Sequence, residues 1–111
     1  MNLIIGSHVS YNNKSQLLGS VKEALSYKSN TFMFYTGAPQ NTNRSVIEDS
    51  LTMEAYKLMK ENNIALEKVI VHAPYIVNLA NFNNFDFSVS FLINEVERCS
   101  TLGIKYLVLH P

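Results

Sequence analysis

At 111 residues and 47% apolar content, the chain is long enough for one small domain with its own core and too apolar for a disordered tail. Nine basic and nine acidic residues cancel, which excludes the global field of a basic nucleic-acid-binding arm; any contact with DNA has to be local. No apolar run approaches the ~20 residues of a membrane span, the run Leu3 to Ile5 is too short for a secretory signal core, and the lone Cys99 excludes an internal disulfide. A cytoplasmic protein is expected.

The first segment, Asn2 to Gly6, is brief, contains adjacent isoleucines and stops at a glycine, which predicts a buried strand with His8 just past its end. Leu17, Leu18, Val21, Ala24 and Leu25 then recur at helical spacing, with Asn13 and Gln16 placed like a capping pair. The aromatic run Thr31 to Tyr35 predicts a second strand, followed by the turn formers Gly37 to Asn41. Ser45 and Glu48 fit an S-x-x-E capping box, and Ile47, Leu51, Ala55, Leu58 and Met59 carry one apolar stripe to Asn62 and Asn63. Val69 to Val71 predicts a third strand ending at His72. Phe85, Val89, Leu92, Val96 and Cys99 mark a third helix closed by Gly103, with Cys99 as a buried core thiol. Tyr106 to Leu109 predicts a fourth strand ending at His110.

The order β-α-β-α-β-α-β calls for an α/β fold with a parallel sheet and right-handed crossovers. An open doubly wound sheet and a closed barrel share this repeat, and the strand pattern does not choose between them. All three histidines, His8, His72 and His110, fall at strand ends, the edge where both architectures build their sites. His72 and His110 end consecutive predicted strands, about 4.8 Å apart in a sheet, so their imidazoles could share a divalent metal. The bland alternative is a solvated loop histidine, or one bonded to a nearby carbonyl. His8, separated from the third strand by the second, reads as a site residue without metal.

Tyr75, three residues after His72, could stack on a base or pack on the next helix. Glu48, Asp49, Glu54, Glu61, Glu95 and Glu97 all fall on predicted helices and read as solvated faces, so no strand end supplies a bridging carboxylate.

Four segments, Gly6-Ser7-His8-Val9-Ser10, Thr36-Gly37-Ala38-Pro39-Gln40-Asn41, His72-Ala73-Pro74-Tyr75-Ile76-Val77-Asn78 and Leu109-His110-Pro111, together and in this order resemble the endonuclease IV family. The resemblance runs from the first residue to the last. It implies a (β/α)8 TIM barrel, of which residues 1–111 would be the N-terminal half of a single domain, with a trinuclear zinc cluster at the mouth. It makes His72 and His110 zinc ligands and sends Tyr75 and Ile76 into the DNA at the lesion. Some members carry a penetrating arginine in the loop after the second strand; here Gln40 stands in that loop, with Asn41 and Arg44 as its other candidate DNA contacts. The implied substrate is double-stranded DNA with abasic sites, cleaved on the 5′ side in base-excision repair by a protein that is monomeric when complete.

Four strands are half of a barrel, and the family's remaining ligands, a bridging glutamate among them, come from later strands. The expectation is therefore a truncated chain that holds part of one zinc site, is inactive alone, and folds poorly, aggregates or self-associates through its unpaired sheet edges and unsealed apolar interior. Two rival readings are a sugar isomerase or epimerase on the same barrel, and a non-catalytic truncated product.

Overall fold

The structure, a computed structural model, describes residues 6–37, 44–73 and 85–108. Within them the expected alternation holds. Strands β1 (Gly6–His8), β2 (Thr31–Phe34), β3 (Ile70–His72) and β4 (Tyr106–Val108) alternate with helices α1 (Gln16–Ser26), α2 (Asp49–Glu61) and α3 (Phe85–Leu102), and a 3-10 turn, Leu66–Lys68, leads into β3. All neighbours pair in parallel, in the order β1-β2-β3-β4.

That order separates the two architectures left open by the strand pattern, in favour of the barrel that the motifs imply. A doubly wound sheet reverses its strand order and carries helices on both faces. Here the order rises without reversal, so right-handed crossovers put every helix on the same side. The alternation along the strands agrees: Phe32, Phe34 and Val71 are buried, whereas on the opposite face Gly6, His8, Tyr106 and Val108 are exposed and Thr31, Met33 and Ile70 half-buried, with His72 the buried exception. The uncovered face is the one that lines the interior of a (β/α)8 barrel.

The core lies between sheet and helices. Leu17, Val21 and Ala24 of α1, Ala55 and Met59 of α2, and Cys99 and Leu102 of α3 close over Phe32, Phe34, Val69 and Val71. The stripes predicted for α1 and α2 are borne out, with Leu18, Leu25, Ile47 and Leu58 partly buried at the margin of this cluster.

The caps differ from expectation. At the start of α1 it is the Asn12 carboxamide, one residue before the expected Asn13, that accepts from the backbone N–H groups of Lys14 and Ser15, in an Asx turn. Helix α2 begins at Asp49, and no Ser45–Glu48 box forms. Gln16 takes over instead: buried and held at φ 50°, it accepts from the Glu48 backbone N–H at 3.0 Å and donates to the Val46 carbonyl at 2.8 Å. A long-range amide thus replaces a local capping pair.

Helix α3 is rotated relative to its predicted stripe. Its buried face is Ser88, Phe91, Glu95, Arg98, Cys99 and Leu102, while Val96 is 51% exposed. Val89 and Leu92 are only half-buried. Cys99 is the one predicted core position shared by both faces, and it is a core thiol as expected, with burial and the neighbouring Glu95 carboxylate pushing its pKa up to about 11. At pH 8 only about one thiol in a thousand is then ionised. Native Cys99 should therefore resist a thiolate-directed reagent until denaturant is added; rapid labelling of the folded protein would contradict its burial. Since the folded pKa lies above the ordinary thiol value of 9.0, the thiol's contribution to stability is present below about pH 9 and is lost as the pH rises through about 11.

Gly103 closes α3 at φ 77°, as its position predicts. A Cβ there would lie 2.6 Å from the Tyr56 hydroxyl, which bonds the Leu102 carbonyl. Gly103→Ala is expected to lower stability by about 1–2 kcal/mol from the left-handed backbone alone, and more from the displaced Tyr56, measurable as a lower midpoint in denaturant.

Candidate functional site at the carboxyl edge of the sheet

Parallel strands bring all their carboxyl ends to one edge, and there three rings meet. His8 is the last residue of β1 rather than a loop residue beyond it, in register with Met33. Tyr35 follows β2 directly, and His72 ends β3. The Tyr35 ring sits between the two imidazoles, with its centroid 5.0 Å from that of His8 and 4.8 Å from that of His72. The order β1-β2-β3 makes this necessary: a histidine on each outer strand can meet only across whatever β2 supplies.

His72 is 7% exposed although it ends a strand on the uncovered face. Its Nδ1 lies 2.6 Å from the Ala73 carbonyl oxygen, which can only accept, so Nδ1 carries the proton and Nε2 is the basic nitrogen of the neutral ring. A carbonyl that fixes the tautomer in this way is the usual companion of a metal-ligating histidine. The pKa of His8 is lowered, first by burial and then by the proximity of His72, against a smaller upward pull from Glu23. A neutral His8 can accept a hydrogen bond.

Among the described residues no group of three or more His, Cys, Asp or Glu side chains is placed to hold a metal ion. His110, Tyr75, Ile76, Gln40 and Asn41 lie outside the described residues. The remaining candidate, Arg44, is displayed differently from a DNA contact. Its side chain is 5% exposed, its Nε donates to Glu95 Oε1 at 2.7 Å, and its guanidinium lies 5.0 Å from the centroid of the Phe91 ring.

Glu95 is also the exception among the six acidic residues read as solvated. It is fully buried and ties together Arg44 and the Thr36 hydroxyl, which donates to Oε2 at 2.6 Å. Arg98, likewise buried, donates through Nε to the same hydroxyl and through Nη1 and Nη2 to the carbonyls of Ser45 and Thr36. Tyr35, Thr36, Glu95 and Arg98 are thus site or support residues that the sequence reading did not select. A signal was present, because Phe91, Glu95, Arg98 and Leu102 also keep helical spacing, but an equally periodic and wholly apolar stripe competed with it.

Curated proteins named Probable endonuclease 4 match nearly all of the chain: 50% identity over 115 residues in Mesoplasma florum, 55% over 112 in Ureaplasma parvum and 53% over 113 in Bacillus subtilis. The chain is similar to part of these endonuclease 4 proteins. These matches cover 97%, 99% and 98% of the chain, respectively, but only 39%, 37% and 37% of the relatives. Endonuclease IV from Thermus thermophilus superimposes with a TM-score of 0.80 at 27% identity, over 96% of this chain and 39% of that one. The unreversed sheet is accordingly a partial barrel that matches part of that structure. No family model matches the chain. No helix among the described residues is long and apolar enough to cross a membrane.

Proposed function

We propose that this chain is the N-terminal part of a zinc-dependent DNA-repair endonuclease that hydrolyses the phosphodiester on the 5′ side of an abasic site, leaving a 3′-hydroxyl and a 5′-deoxyribose phosphate. The observation that carries the reading is the meeting of His8, Tyr35 and His72 at the carboxyl edge of an unreversed parallel sheet, in a chain whose relatives are named for endonuclease 4. The protein acts as a cytoplasmic monomer on double-stranded DNA.

The donor chemistry fits zinc in part. His72 has the tautomer a ligand needs, fixed by the Ala73 carbonyl. His110, which the resemblance makes the second ligand, lies two residues after Val108 in sequence. These two would be ligands; the carboxylates that bridge a cluster would come from the part of the relatives that this chain does not span. Zinc, when bound, supplies Lewis acidity that activates water near neutral pH and screens phosphate charge. His8, neutral and exposed beside this edge, is suited to hydrogen-bond the substrate or water without binding metal. Tyr75 and Ile76, with Gln40 and Asn41, would contact the opened duplex, while Arg44 serves its own fold through Glu95.

The test is an abasic-site duplex incubated with the protein carrying whatever its gene encodes after Pro111. Nicking that yields a polymerase-extendable 3′ end, stops with a chelator and returns with zinc would support the reading. Intact DNA together with turnover of a ketose would replace it with the isomerase.

A further inference from the structure

Thr36 follows Tyr35, the ring between the two histidines, and its polar groups are tied to α3. The hydroxyl donates to Glu95 Oε2 at 2.6 Å and accepts from Arg98 Nε at 3.0 Å; the carbonyl accepts from Arg98 Nη2 at 2.9 Å. The same guanidinium reaches across the β2–α2 connection to the Ser45 carbonyl at 2.6 Å, and Glu95 holds Arg44 at 2.7 Å. Gly37 permits the closure, since a Cβ there would lie 2.6 Å from Arg44 Nη1. Both sides of the connection after β2 are therefore drawn onto one buried pair of α3 residues.

A buried ionic network is a poor source of stability, because apolar residues of similar volume serve as well or better. What it provides is direction: a guanidinium fork and a carboxylate fix their partners at set angles, where apolar packing leaves rotamer freedom. We propose that Glu95 and Arg98 are positioning residues for the strand-end site, acting through Thr36 to hold the Tyr35 ring between His8 and His72. The inference rests on the reading of this edge as the reacting one.

The experiment compares Arg98→Lys and Thr36→Val with Thr36→Ser, which keeps the hydroxyl, in the protein as its gene encodes it. Two quantities are read: the imidazole Cε1–H resonances of His8 and His72, which feel the ring current of Tyr35, and kcat/KM for abasic-site nicking. Arg98→Lys and Thr36→Val should displace those resonances and lower kcat/KM by about 10- to 100-fold, as loss of a supporting partner does, while still melting well above the assay temperature. Thr36→Ser should restore both. A merely structural role would lower the melting temperature and leave the resonances of the folded protein in place, and that result would overturn the proposal. Displaced resonances in a protein whose wild type never cleaves abasic DNA would support the clamp on Tyr35 and overturn the nuclease reading instead.

Discussion

Replacing Glu95 with alanine is expected to destabilise the fold by about 3–5 kcal/mol, the usual cost of removing one partner of a buried charge pair. The loss arises less from the missing attraction than from what remains: Arg44 keeps its charge at 5% exposure, and the Thr36 hydroxyl loses its acceptor. Glu97→Ala, two residues away on the exposed face, should change stability by no more than about 0.5 kcal/mol. Denaturant titration of the two variants makes the contrast, and equal midpoints would contradict the buried network. Because the pair is shielded from solvent, the difference should survive added salt. Replacing both partners with apolar residues, Arg44→Met with Glu95→Leu, should recover much of the loss.

The second large effect is expected on metal binding. His72→Asn removes the nitrogen whose tautomer the Ala73 carbonyl fixes. If His72 is a ligand, zinc retention through dialysis and abasic-site nicking should both fall by more than the roughly 10- to 100-fold that loss of an outer hydrogen-bonding partner costs. His8→Asn is the informative companion, since a residue that does not bind metal should leave zinc content unchanged while lowering activity. Wild-type zinc content in His72→Asn would remove that residue from the ligand set.

Much of this architecture was legible in the residues. Short apolar runs bounded by glycine, together with three helical stripes, predicted the alternation that the structure has, and Gly103 marked the end of α3. The strand pattern alone did not choose between sheet and barrel, because strand order is a property of how neighbours pair and not of any one segment; the four motifs implied the barrel, and the unreversed order agrees. The caps were misjudged for a related reason: Asn13 with Gln16 and Ser45 with Glu48 are local patterns, but Gln16 serves Glu48 from 32 positions away. Glu95 shows the same limit at the site. A carboxylate on a helix is usually solvated, and only the packing of α3 against the end of β2 turns it inward. Tyr35 was read as a strand residue because its aromatic neighbours are; its place between two histidines follows from β2 lying between β1 and β3.

The uncovered face has a consequence for how such a chain comes into being. Every strand described here pairs with the next one along the chain, so each pairing can form as soon as that strand has left the ribosome. In relatives of which this chain spans under two-fifths, the last closure, joining the first strand to the final one, has to wait for the whole polypeptide. Until then Tyr106 and Val108 on the β4 edge, and Phe87, Ile93 and Val96 on α3, remain in water. The order of synthesis thus keeps these apolar side chains in water for as long as the closing strand is awaited.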